Sequence, residues 1–349
     1  MEKLPAVDSE YLMETLVSIL KTPSPTGYTE KIIEYLRNQL AEYQLRMEDT
    51  YKGSLMAFWG GNHSDPKRGI TAHVDTLGAM VKEVKSNGRL RITQLGGYPW
   101  NTIEGEGCSV LTKSGETIRG TILIDYASHH IYGKKVSERE RNSANIEVRL
   151  DIVSSTDNQT REHGVDVGCF VFLDPRVEVV NNFIRSRHLD DKAGVVCVLA
   201  AVQALHQAGL EPCAETLVHF SNYEEVGHGG ASGIPENLAE LVTIDMAAVG
   251  EGQTSTEFQA TLCVKDSRGP YHYQLNRKIE ELARKYEIPY QVDIYPHYGS
   301  DGEAYWRGGG NAAVALIGPG VDASHNYERT HLRSLEATTQ WIMAYLLHG

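Results

Sequence analysis

The sequence predicts a mixed-sheet α/β fold interrupted by a β-rich, barrel-like insert, and three observations carry that expectation. Amphipathic helical patterns alternate with short apolar strand-like runs toward both ends of the chain, as in layered α/β proteins. Between about residues 78 and 180 helical periodicity gives way to hairpin signals. Acidic and histidine residues recur where the strand-like runs stop, the edge at which open α/β sheets place their chemistry. Residues 1–77 and 181–349 are thus expected to form one α/β domain, with 78–180 as the insert. A chain of 349 residues is longer than one core usually supports, which favours this division.

The elements follow in order. "SEYLMETLVSIL" and "TEKIIEYLRNQLAEY" read as amphipathic helices with Ser9 and Thr29 as N-caps. "GSLMAFWG" and "GITAHVD" read as strands separated by the turn-rich "GNHSDPKRG". Within the insert, Asn87-Gly88 and Ser114-Gly115 are hairpin signals, "NIEVRLDIV" and "CFVFL" are strand-like, and no helix is evident. Beyond it come a helix after "LDDKAG", the strand "TLVHF" leading to Glu224, and the strand "LVTID". The helix "YHYQLNRKIEELARKY", the strand "AAVALIG" and the helix "SLEATTQWIMAYLL" complete the alternation. "AGVVCVLAAVQAL" is too short to span a bilayer and reads as a buried helix.

Composition narrows the function classes. A formal charge of -13 argues against nucleic acid or an anionic membrane as partner and suits a protein that attracts cations. Five scattered cysteines without a C-x-x-C pair, and a start lacking a secretory pattern, lead to the expectation of a reduced, cytoplasmic setting.

"SNYEEVGHGG" places Glu224 and Glu225 side by side after an apolar run and before glycines. In mid-strand one of them would point into the core, so both belong at a strand's carboxyl edge. Four further sites share that position. His73 and Asp75, in "TAHVDT", are two residues apart, and Asp75 is available to hold the second ring nitrogen of a metal-binding His73. Asp190 and Asp191 stand at a helix start, where carboxylates also serve as caps. Asp245 ends "ELVTID", where a buried carboxylate needs a cation or donors. His325 follows the strand "AAVALIG", whereas His63, His129, His130, His163 and His348 read as ordinary loop histidines. Oxygen ligands with two imidazoles suit zinc, cobalt or manganese. Two divalent ions against Asp190, Glu225 and Asp245 leave one positive charge, which a hydroxide would neutralise. Glu224 is then left over as the general base for a metal-bound water.

In chain order, "HVD", "LDDKAG", "EEVG", "TID" and the late histidine resemble the glutamyl and deblocking aminopeptidases, relatives of the tetrahedral aminopeptidases, and "PSPTGYTEKI" is similar to their N-terminal region. The resemblance covers essentially the whole chain. It implies a dinuclear metallopeptidase in which His73, Asp190 and Asp245 hold one ion and Asp190, Glu225 and His325 the other. Asp75 would orient His73, and Glu224 would be the base. The two ions per subunit would be zinc or cobalt. It further implies peptide substrates and a homo-oligomer built from dimers, up to a dodecamer, with the insert serving assembly and access. Asp301, in "YGSDGEA", matches an acidic position near such sites and is a candidate substrate residue. Two segments depart from the family pattern. "GPGVDASHNYE" replaces an Arg-Tyr pair before the last histidine, and "VKDSRGPYHY" replaces a Gly-Lys-Gly segment; both bear on substrate preference.

A dinuclear carboxypeptidase or deacylase could use the same residues, and a metal-stabilised scaffold could keep the ligands without needing Glu224. A glycosidase fits poorly, because its carboxylates flank a sugar about 5–9.5 Å apart.

Overall fold

The computed structural model describes residues 3–63 and 67–348. Contacts divide the chain into two compact units, Thr76–Arg176 and the flanking Met1–Asp75 with Val177–Gly349.

The larger unit starts with helices α1 (Ser9–Lys21) and α2 (Glu30–Ala41), then strands β1 (Arg46–Asp49), β2 (Leu55–Trp59) and β3 (Lys67–His73). α1 buries Leu12, Leu16, Ile19 and Leu20, the helical spacing that the sequence shows. Its cap is Asp8, which accepts from the amides of Glu10 and Tyr11, and not the expected Ser9. Thr29 does stand at the N-cap of α2, but its hydroxyl donates to the Gly53 carbonyl instead of capping.

The inserted unit contains β4 (Gly78–Val84), β5 (Leu90–Leu95), β6 (Gly107–Leu111), β7 (Thr117–Ile124), β8 (Ile146–Leu150) and β9 (Phe170–Leu173). They close into an antiparallel barrel in the order β4-β5-β8-β7-β6-β9. Closure leaves no open sheet edge, and Ala79, Val81, Ile92, Val110, Ile122 and Val148 fill its core. The two hairpin signals lie where expected, with Gly88 at φ 78° and Gly115 at φ 87° in the left-handed region that favours glycine. Contrary to the helix-free reading, this unit also holds α3 (His129–Tyr132), α4 (Lys135–Glu138) and α5 (Asp157–Glu162). These helices of four to six residues are too short to leave a periodic pattern.

The chain then returns through β10 (Glu178–Val180) and β11 (Phe183–Ser186), so residues read as the end of the insert pair instead with the larger unit's sheet. Next come α6 (Leu189–Gln207), β12 (Thr216–Ser221), β13 (Leu238–Ile244), β14 (Ala247–Val249), β15 (Ala260–Lys265), α7 (Tyr273–Lys285) and β16 (Tyr290–Ile294). α8 (Asp301–Arg307), β17 (Ala313–Asp322), β18 (Glu328–His331) and α9 (Leu332–Leu347) follow. Among the described residues the large sheet has twelve strands in the order β1-β2-β12-β3-β13-β17-β18-β11-β10, with β14 and β15 also beside β17 and β16 beside β15. Its centre, β12-β3-β13-β17, is parallel, so these strands deliver their carboxyl ends to one edge. α6 is apolar on all sides and buried against that sheet. Among the described residues no helix is long and apolar enough to cross a membrane.

Candidate active site

The parallel centre of the sheet assembles the site. β3 ends on His73, which is in register with Ser221 at the end of β12, and Glu224 and Glu225 follow three and four residues on. Asp245 comes directly after β13, with its amide donating to Ile317 of β17, and His325 follows β17. Asp190 sits in the first turn of α6, where its backbone is not helical.

These residues form two groups whose potential ligand atoms lie within 4.8 Å of one another: His73, Asp190 and Asp245, and then Asp190, Glu225 and His325. Asp190 bridges them. His73 Nε2 lies 3.0 Å from Asp190 Oδ1, and His325 Nε2 lies 3.2 Å from Asp190 Oδ2. His73 Nε2 is also 4.0 Å from Asp245 Oδ1, and His325 Nε2 is 3.6 Å from Glu225 Oε2. Glu224 belongs to neither group but brings Oε2 to 3.7 Å from His73 Nε2.

The electrostatics are those of acids crowded out of water. Desolvation, with Asp190 nearby, pushes the Asp245 carboxyl up to about 8. Desolvation first, then neighbouring acids, also raises Glu224 and Glu225 well above the usual carboxylate range. Burial alone would depress the His73 imidazole, but Glu224, Asp190 and Asp245 outweigh it and hold the ring well above its ordinary range. Asp190 is desolvated too, yet His325 and His73 hold it below the usual range. Glu225 Oε1 and Asp245 Oδ1 are buried without a hydrogen-bond partner. A divalent cation in each group, beside one imidazole and such an oxygen, would satisfy both, so the donor set fits divalent metal ions.

Asp75 differs from its expected role. His73 Nδ1 lies 2.8 Å from the backbone carbonyl of Asp75, while the nearer carboxylate oxygen is 3.8 Å away. That carboxylate accepts instead from the amides of Glu224 at 3.1 Å and Glu225 at 3.3 Å, and from the Thr26 hydroxyl at 2.7 Å. Asp75 therefore orients the ring through its main chain and the two glutamates through its side chain. Asp301 is also placed differently. It is buried, accepts from Ser221 and from the Gly230 amide, and so braces the glutamate loop from behind instead of facing a substrate. A Cβ on Gly229 would come within 2.2 Å of Asp301 Oδ1, which explains a glycine there. Lys52 and Arg307 hold carbonyls of the same loop, at Gly229 and Gly227. Tyr223, at φ 72°, is held in the left-handed region at the loop's start.

Asp191 is the cap and not a ligand: its Oδ1 accepts from the Gly194 amide at 3.1 Å. Sequence reasoning missed Glu328, a buried carboxylate whose two oxygens accept from the amides of His325 at 3.0 Å and Asp190 at 3.1 Å. Its position three residues after His325 is the signal that was available. A cavity of about 580 Å³ opens on Glu224, Glu225, Asp245 and His325 and continues past Met246, Tyr295 and Tyr298.

A family profile described as M42 glutamyl aminopeptidase matches residues 53–341, which include His73, Asp190, Glu224, Glu225, Asp245 and His325. The chain belongs to that family. It is therefore a hydrolase of the peptidase class, and the M42 family is metal-dependent. The chain is 45% identical over 335 residues to the Bacillus subtilis protein named "Putative aminopeptidase YhfE", covering 96% of each. It is 23% identical over 351 residues to the lysyl aminopeptidase of Pyrococcus furiosus, covering 95% of this chain and 96% of that one. Among solved structures, the Pyrococcus horikoshii TET1 peptidase superposes with a TM-score of 0.84 at 21% identity, covering 97% of this chain and all of that one (100%). The M42 fold, α/β with an inserted barrel, is thus the fold of this chain.

Proposed function

We propose that this chain is a dinuclear aminopeptidase that releases N-terminal residues from peptides, with Glu224 as the proton acceptor. One observation carries the reading: two three-residue ligand groups share Asp190, and a fourth acidic side chain, Glu224, stands beside them without belonging to either. His73, Asp190 and Asp245 would hold one divalent ion, and Asp190, Glu225 and His325 the other, zinc or cobalt suiting this donor set. When bound, the pair supplies Lewis acidity toward the scissile carbonyl and lowers the pKa of a coordinated water. Glu224 takes the proton of the attacking water and returns it to the leaving amine. Asp75 fixes where it does so, because its carboxylate holds the Glu224 and Glu225 amides.

We further propose that the chain assembles as a homo-oligomer, from dimers up to a dodecamer, with unit Thr76–Arg176 governing assembly and access. The likeness to the P. horikoshii TET1 peptidase, which can assemble into a tetrahedron or a large octahedral shell, supports this. The free cysteines support a reducing, cytoplasmic setting.

The test is a panel of free-amine, N-acylated and C-terminally blocked peptides, assayed after chelation and after adding back zinc or cobalt. Metal-dependent cleavage of free-amine peptides alone is expected. Cleavage led by N-acylated peptides would point to a deacylase, trimming from the other end to a carboxypeptidase, and full activity in chelator would remove the metal reading altogether.

A further inference from the structure

We infer that the cavity beside the ligand groups selects uncharged, largely apolar N-terminal side chains and rejects glutamate. The inference rests on the aminopeptidase reading and adds the substrate class. On that reading the scissile bond and the amino end beside it sit at the Glu224 and ligand-group end, which leaves the N-terminal side chain the remainder of the cavity. There the walls are mostly Met246, Ala248, Tyr295, Pro296 and Tyr298, with Gln253 between them and the Ser324 hydroxyl at the His325 end.

The two tyrosine hydroxyls and the Gln253 nitrogen are already engaged. Ser255 Oγ donates to Asp293 Oδ2 at 2.7 Å and lies 2.6 Å from Tyr295 Oη, so the Tyr295 hydroxyl spends its proton on Ser255. Tyr298 Oη donates to the Met246 carbonyl at 2.8 Å. The two rings pack at a centroid distance of 5.2 Å and offer the cavity carbon. The Gln253 amide nitrogen donates to Ile294 and Asp293, so what remains free on that side chain is an acceptor. No lysine or arginine lines the cavity among the described residues. Its basic groups are His325, committed to a ligand group, and His297 at the exposed rim.

A glutamate side chain entering this partly open cavity would lose part of its water and meet rings, a thioether, an acceptor oxygen and one hydroxyl, with no lysine or arginine to replace the solvent. A leucine, methionine or phenylalanine side chain would bury apolar surface at no such cost. At about 580 Å³ the cavity lies in the range of small-molecule sites and admits any of these.

The experiment compares kcat/KM for leucyl, methionyl, phenylalanyl, glutamyl and lysyl 4-nitroanilides on the metal-loaded enzyme. The apolar substrates should exceed the glutamyl one by about 10²-fold or more, as expected when a site leaves a charged group unpaired. Ala248→Arg and, as an independent second variant, Gln253→Lys should each shift the glutamyl-to-leucyl ratio upward by about tenfold or more by placing a cation in the wall. Inhibition of the unaltered enzyme by free L-leucine but not L-glutamate gives the same answer without a variant. Hydrolysis led by the glutamyl or lysyl substrate, or a ratio unmoved in both variants, overturns the inference while leaving the aminopeptidase reading intact. If no arm is hydrolysed, that reading fails and this inference with it.

Discussion

The two ligand groups share Asp190 but are built differently. His73 closes a central parallel strand; its side chain is 1% exposed, and its outer nitrogen meets a backbone carbonyl two residues away. His325 stands on a loop at φ 62°, its side chain 37% exposed, and its backbone is tied down by Glu328. The sheet prebuilds one group, whereas the other depends on a loop held by the buried Glu328 carboxylate and by Arg187, which donates to the Asn326 carbonyl. Rigidity at one ion and access at the other would let a substrate displace water from the His325 side while the His73 side keeps its geometry.

The comparison can be broken or sharpened by experiment. The largest effect should come from Glu224→Gln, which keeps shape but cannot accept a proton. Turnover should fall by roughly 10²–10⁴ while metal analysis still finds both ions. A rate within a few-fold of wild type would leave Glu224 a bystander, and loss of an ion in this variant but not in Glu225→Gln would reverse the two glutamates. Next in size, Asp190→Ala should empty both groups, and His73→Ala and His325→Ala should each lose a different ion, as read by metal content. Equal content in all three variants would refute the shared ligand.

A smaller effect tests the asymmetry itself. Chelator titration of the loaded enzyme should strip one ion before the other, and Glu328→Gln, which can accept only one of the two amides, should weaken the His325-side ion by about 10–100-fold and the His73-side ion, reached only through the shared Asp190, by less. Equal weakening of both ions would show the two groups to be one mechanical unit. The smallest effect is in thermal stability. In metal-free protein Asp245 and Glu328 are each raised to about 8, and His73 is raised as well, so the folded state binds more protons than the unfolded one above the ordinary carboxylate range. Stability should therefore fall as pH rises from about 4 toward about 8. Saturating zinc should flatten that slope and add about 2.7 kcal/mol per ion at a hundredfold excess over Kd. A slope unchanged by zinc would contradict the placement of the cations.

Much of this arrangement was legible because strand ends announce themselves. Asp245 and the Glu224-Glu225 pair follow apolar runs that no carboxylate could continue, and the hairpin glycines marked the barrel. What escaped reading has physical causes. The H-x-D spacing suggested an Asp75 carboxylate on the second ring nitrogen of His73, but β3 stops at His73, and beyond a strand's end the two-residue alternation no longer decides where Asp75 points. Asp301 was a candidate because its position matches an acidic one in the family the chain resembles, and only the packing of α8 behind the glutamate loop reveals it as a brace. Glu328 lies in a strand of four residues, too short to signal burial. β10 is likewise short and exposed, which blurred the end of the insert.

The bridging position of Asp190 and the late position of His325 also bear on how the protein is made. Ribosomes deliver His73, Asp190, Glu225 and Asp245 before the loop that carries His325, and β3 cannot pair with β12 until the whole barrel between them has been synthesised. On the proposed two-ion reading, a partly translated chain would lack one of its two imidazoles and could hold at most the sheet-borne ion. A peptide-degrading centre assembled in this order would stay inert on the ribosome, beside the emerging N-termini of its neighbours, until the molecule has folded.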